Sequence, residues 1–150
     1  MEVYKKIGTK GRLVEMFQNV NKIRLTEQTL SREERNKIIK DFVNFIKTKV
    51  KFEGDLPKIL ITYNEDEAKD SKSFGRYTPH DSEIKVVGIN RNLADILRTL
   101  GHELIHHSQN LKGELDINSG EDGSEQENEA NSLAGVIMRE FGKENPIIFE

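Results

Sequence analysis

Residues 100–107 read Leu-Gly-His-Glu-Leu-Ile-His-His, and the H-E-x-x-H spacing inside them organises the rest of the chain. The stretch sits within a segment of helical periodicity, predicted over about 92–110. Residues four apart lie on one helix face, a turn apart, so His102 and His106 can reach a single ion. Glu103 follows the first histidine and faces the side of that ion, where it can take a proton from a bound water. Two imidazoles suit zinc, and a catalytic zinc takes three protein ligands while keeping a position for water. A bare H-E-x-x-H also arises by chance on an exposed helix face, so the third ligand carries the decision.

Candidates for it lie in Glu125-Gln126-Glu127-Asn128-Glu129-Ala130-Asn131, at the start of the last predicted helix, about 123–142. Its core-facing residues are expected to be Ala130, Leu133, Ala134, Ile137, Met138 and Phe141. At ~100° per residue, Glu127 falls about 20° from Ala134, Glu129 roughly 140° away and Glu125 nearly opposite. A carboxylate on a buried stripe is costly unless paired, and a zinc ion would pair it. Glu125 and Glu129 suit a helix N-terminus facing solvent. Glu127 is therefore the expected third ligand. Ala130 lets the two helices approach closely, and Asn131 shares the Glu127 face, where it can orient a ligand histidine.

Upstream of the motif, Lys58–Tyr63, Ser73–Thr78 and Glu83–Ile89 read as strands, with a charged loop over Asn64–Lys72 and a turn at Pro79–Ser82. Ser31 and Glu34 form a capping box ahead of a helix over about 32–50, and Leu13, Val14, Phe17 and Val20 give a shorter helix over 11–24. Gly113 to Gly123 forms an active-site-side loop between the last two helices. The reading is one α+β domain over 1–150. Residues 1–55 are a helical layer, 56–142 a catalytic core with a small three-stranded sheet, and 143–150 a tail.

The formal net charge of −3 gives no reason to expect nucleic acid, which calls for a clustered basic surface. Lys5, Lys6, Lys10 and Arg12 read as a solvated arm. There is no cysteine, so thiolate ligands are excluded. The opening residues have no apolar h-region, and no apolar run approaches the ~20 residues of a membrane-spanning helix. No membrane partner is expected, and the location expected is cytoplasmic.

Leu-Gly-His-Glu-Leu-Ile-His-His followed by Glu-Asn-Glu-Ala-Asn-Ser-Leu-Ala resembles the gluzincins, zinc peptidases with H-E-x-x-H and a glutamate ligand on a following helix. Glu127, Ala130 and Asn131 match their E-x-x-A-[DN] motif, and Gly101 resembles the thermolysin pattern. Gly75-Arg76-Tyr77, Ile84-Lys85-Val86, Asn90 and Leu97-Arg98-Thr99-Leu100 resemble the compact single-domain types, the minigluzincins and the ImmA/IrrE-like peptidases that cleave repressors. The likeness covers about residues 56–142. It implies a zincin-like helix–sheet–helix domain holding one zinc, with a peptide or protein substrate added as a β-strand to the sheet edge. That edge is either Ser73–Thr78 or Glu83–Val87. Thermolysin-like enzymes have Asp where Asn131 stands and carry an oxyanion donor in a later subdomain, for which this chain has no room after residue 142.

The expected activity is peptide-bond hydrolysis with Glu103 as the base. Gly75, Arg76, Tyr77 and His107 are the candidate substrate-binding residues. Tyr77, His80 and His107 are candidate donors to the oxyanion, although each also has a plain packing or turn role. A competing class is a zinc-bound interaction module without proteolysis, which needs the ligands but is indifferent to Glu103.

Overall fold

The computed structural model describes residues 30–149. The helix expected over 11–24 and the basic cluster at Lys5–Arg12 lie outside that range. The described residues divide at Lys37/Ile38 into two units, and the second, Ile38–Phe149, contains every site element.

Helix α1, Arg32–Lys49, starts where its capping box predicts. The Glu34 N–H donates to Ser31 Oγ at 3.0 Å, and the Ser31 N–H donates back to Glu34 Oε1 at 3.0 Å. From Ile38 onward its buried stripe is Ile39, Phe42 and Ile46. Three strands follow, β1 Lys58–Thr62, β2 Gly75–Thr78 and β3 Glu83–Val87, in the order β1–β3–β2. Parallel pairing of β1 with β3 needs a crossover, which contains the short helix α2, Glu65–Asp70. The helix stands where the sequence predicts a charged loop. Its six residues, EDEAKD, have no apolar stripe, and the helix is set locally by Asn64 Oδ1 accepting the Asp66 and Glu67 N–H groups.

β2 and β3 pair antiparallel through the expected turn at 79–82, where Ser82 has φ 49°. The expected third strand stops at Val87, two residues early, and Asn90 turns the chain with φ 58°. Ile84 and Val86 point into the core, while Lys85 is exposed between them. Helix α3, Leu93–Leu111, covers that inner face, and helix α4, Glu125–Glu144, packs beside α3. Phe42 and Phe45 of α1 meet Phe141 of α4 with ring centroids 5.2 and 5.4 Å apart. Pro146–Phe149 forms a 3-10 turn that buries Ile148 and lays the Phe149 ring over Gly142. The α+β layout expected from the sequence is the one observed. Leu133 departs from it, being 36% exposed, because the buried stripe of α4 is limited to Ala130, Ala134, Ile137, Met138, Phe141 and Gly142. Among the described residues no helix is long and apolar enough to cross a membrane.

Candidate metal centre

α3 is capped by Asn92, whose Oδ1 accepts the Asp95 N–H at 2.9 Å. One side of the helix, with Leu97, Leu100 and Leu104, is fully buried in the core. Gly101 lets the Phe42 ring sit against the helix backbone, since a Cβ there would lie 3.1 Å from Phe42 Cζ. This contact holds the turn that carries His102. On another side, β2 crosses close to α3 at Gly75. A Cβ on Gly75 would overlap the Thr99 methyl and lie 3.4 Å from Glu103 Cγ. Glycine is thus what lets the strand come close to Glu103.

α4 opens on Gly123, with φ +87°, followed by Ser124, whose Oγ accepts the Glu127 N–H at 3.1 Å. Glu127 is placed in the first helical turn, where the helix dipole favours a negative charge. Its carboxylate reaches across to α3, with Oε1 2.9 Å from His102 Nε2 and Oε2 3.0 Å from His106 Nε2. The two imidazole Nε2 atoms are 3.1 Å apart. His102, His106 and Glu127 form a largely buried group able to hold a metal ion. Three donors at about 2.0–2.1 Å from a tetrahedral zinc would be separated by roughly 3.3 Å, close to this spacing.

The hydrogen bonds around His106 support the same conclusion. Gln109 Nε2 donates to Gln126 O at 3.0 Å and to Glu129 Oε1 at 2.7 Å, so its amide oxygen faces His106. His106 Nδ1, 2.8 Å from that oxygen, must be the donor. Nε2 is then the ring nitrogen that faces a carboxylate oxygen and a second imidazole nitrogen. Such a convergence of electron pairs is relieved by a cation.

Burial pushes the His102 pKa down and so favours its neutral form, whereas the Glu127 carboxylate pulls the other way. Asn131, one turn beyond Glu127, lies beside His102, and its side chain pulls the His102 pKa back up. Glu103 is 7% exposed, and burial pushes its carboxyl up to about 7; His106 opposes that shift and Glu127 adds to it. A carboxyl with that pKa is suited to exchanging protons near neutral pH.

The three donors and Glu103 line one cleft of about 420 Å³, together with Gly75 and Tyr77 of β2 and Leu115, Asp116, Ser119 and Gly120 of the loop before α4. Among the described residues no strand pairs with the outer side of β2. The edge strand facing the cleft is therefore β2, while Glu83–Val87 lies in the centre of the sheet. The Val87 N–H donates to Phe74 O at 2.8 Å, so alternation turns the N–H and C=O of Gly75 and Tyr77 outward. Ser73 Oγ donates to the outward Gly75 carbonyl at 2.8 Å.

Two of the candidate substrate-binding residues lie elsewhere. Arg76 is exposed on the opposite sheet face, in a row with Leu60 and Lys85, because side chains alternate along a strand. His107 is 1% exposed on another side of α3. Its Nε2 donates to Asp55 O at 2.7 Å, so Tyr77 OH donates to its Nδ1 at 2.8 Å, and Asn110 Nδ2 donates to Tyr77 OH at 3.0 Å. Tyr77 lines the cleft with its hydroxyl already bonded, and His80 is absent from the lining. The sequence reading missed Gln109, although it stands three residues after His106 on the same helix side, and it did not name individual residues of the 113–123 loop.

Neither a protein-family model, nor a curated protein, nor a solved structure gives a significant match to this chain.

Proposed function

We propose that the chain is a zinc-dependent peptidase of the gluzincin type, in which His102, His106 and Glu127 hold one zinc ion and Glu103 is the general base. The observation that carries this reading is the burial of Glu103 in the same cleft as three converging donors, beside an open strand edge. An ionisable carboxyl in that position costs stability, and proton transfer gives it a purpose.

Bound zinc would supply Lewis acidity, polarising a carbonyl and making water acidic enough to lose a proton near neutral pH. Glu103 accepts a proton from the attacking water and delivers it to the nitrogen of the departing amine, which keeps the proton count balanced. The outward backbone groups of Gly75 and Tyr77 pair with an extended peptide and align it along the cleft. A zinc-bound interaction module would use the same ligands but would leave the buried Glu103 without a role.

The test is cleavage of an unstructured fluorogenic peptide mixture by zinc-loaded wild type and Glu103→Gln. The variant should bind zinc like wild type and lose about 10²–10⁴-fold in turnover. Equal turnover in the two proteins would overturn the assignment of Glu103. Absence of cleavage by both, with zinc bound, would favour the interaction module.

A further inference from the structure

The strongest polar feature outside the metal ligands and Glu103 is the Gln109 side chain, 1% exposed between α3 and α4. Its oxygen accepts from His106 Nδ1 at 2.8 Å. Its nitrogen uses both protons, one on the Gln126 carbonyl at 3.0 Å and one on Glu129 Oε1 at 2.7 Å. Gln126 and Glu129 flank the ligand Glu127 in the first turn of α4. One amide thus joins a metal-ligand histidine on one helix to the turn that carries the carboxylate ligand on the other.

We propose that Gln109, oriented by Glu129, is a positioning residue that fixes His106 with Nε2 open to the metal and sets the spacing between His106 and Glu127. The inference rests on the metal-centre reading but concerns residues that do not touch the ion. The orienting mechanism is explicit. An amide can present either end to the histidine, and two acceptors on the α4 side, one of them charged, hold the nitrogen there. The oxygen is left for His106 Nδ1, and a ring whose Nδ1 carries the proton has its Nε2 lone pair available. Glu129 is exposed and is not one of the three donors, and its link to the site is the hydrogen bond it accepts from Gln109 Nε2.

The experiment is a zinc titration against a competing chelator, with the visible spectrum of the cobalt form as a report on coordination and thermal unfolding of the metal-free proteins as a report on structure. Gln109→Met keeps the length of the side chain but removes both ends of the bridge, and should weaken zinc binding by about 10–100-fold. Glu129→Ala should weaken it by roughly a third to half of that effect on a logarithmic scale, because the Gln126 carbonyl remains. Glu129→Gln keeps an acceptor for the amide and should restore affinity to within about threefold of wild type. A purely structural bridge would lower the unfolding temperature of metal-free Gln109→Met and Glu129→Ala while leaving zinc affinity unchanged, and that result overturns the proposal. If Gln109→Met fails to fold, the Glu129→Ala and Glu129→Gln pair decides alone, equal affinities in the two counting against it. A wild type that binds no zinc would refute the metal centre itself, whereas a tight wild type with tight Gln109→Met would refute only the role given to Gln109.

Discussion

Ser124 and Glu127 have the spacing of a capping box, yet only half of the box is formed. The Glu127 N–H donates to Ser124 Oγ at 3.1 Å, while the Ser124 N–H donates to the Glu121 carbonyl at 3.1 Å. The Glu127 carboxylate is thereby released to face His102 and His106. At the start of α1 the same S-x-x-E spacing closes reciprocally between Ser31 and Glu34. The contrast shows one local motif serving two ends. In α1 it starts a helix, and in α4 it aims a carboxylate at two imidazoles.

Removing that cap should therefore affect both stability and metal binding. Ser124→Ala should lose about 1 kcal/mol in denaturant unfolding of the metal-free protein. It should also weaken zinc binding, because the first turn that carries Glu127 frays. Ser31→Ala, in contrast, should leave zinc affinity at the wild-type value. Equal zinc affinities for Ser124→Ala and wild type would separate the cap from the metal centre.

The raised pKa of Glu103 has a sign that can be checked without substrate. Its ordinary value is 4.5, and in the folded, metal-free chain it rises to about 7. The folded state holds this proton more tightly, so the associated stability is complete below pH 4.5 and is lost as pH rises through about 7. Metal-free wild type should lose on the order of 2 kcal/mol from this group between about pH 5 and pH 8. Glu103→Gln cannot ionise and should be the more stable protein at about pH 8 in excess chelator, as measured by urea unfolding. A variant less stable than wild type at that pH would show that Glu103 is not held in a setting that disfavours its charge.

Gly75 controls the approach of the edge strand to α3. Gly75→Ala places a methyl against Thr99 Cγ2 and near Glu103 Cγ. It should destabilise the chain by about 1–3 kcal/mol and displace β2 from the cleft. Thr99→Ser removes the clashing methyl but keeps the hydroxyl that accepts from Arg91 Nη2 at 2.8 Å. The double variant should recover most of the stability lost by Gly75→Ala alone. Additive losses in the double variant would argue against this contact as the cause.

Tyr77 gives a prediction of small effect on chemistry. Its hydroxyl donates to His107 and accepts from Asn110, so it is committed within the fold. Tyr77→Phe should cost about 1–2 kcal/mol of stability through the lost hydrogen bonds. Peptide turnover by zinc-loaded Tyr77→Phe should stay within a few-fold of wild type, since the hydroxyl proton is already committed to His107. A loss of about 10² or more in turnover at unchanged zinc content would identify it as that donor.

The elements with strong periodicity or caps were readable from the residues alone. The H-E-x-x-H helix, the buried stripe of α4 and the α1 box all rest on local rules, and α1, α3 and α4 lie within two residues of their expected bounds. Glu127 could be singled out because helical angle and the cost of a buried carboxylate point the same way. Strand order was beyond such rules, since β2 and β3 have similar local patterns and the edge is set by the parallel β1–β3 pairing across a crossover. The placement of Arg76 away from the cleft was out of reach for a related reason. Alternation separates it from Gly75 and Tyr77, but only the placement of α3 says which face bears the cleft. Helix α2 has no apolar residue pattern to detect, and His107 differs from His106 by a rotation whose meaning depends on the packing of Asp55 and Tyr77. Gln109 stands on the readable side of α3, yet its partners on α4 are 17 and 20 residues away, where no local spacing rule reaches.

The most direct test of the metal centre is the zinc content per chain, measured after zinc loading and removal of excess, in wild type, Glu127→Ala and Glu129→Ala. The expected result is about one zinc in wild type, loss of the metal in Glu127→Ala, and retention in Glu129→Ala at saturating zinc with weakened affinity. Wild type that takes up no zinc, or Glu127→Ala that retains it while Glu129→Ala does not, would contradict the assignment of His102, His106 and Glu127 as the metal ligands.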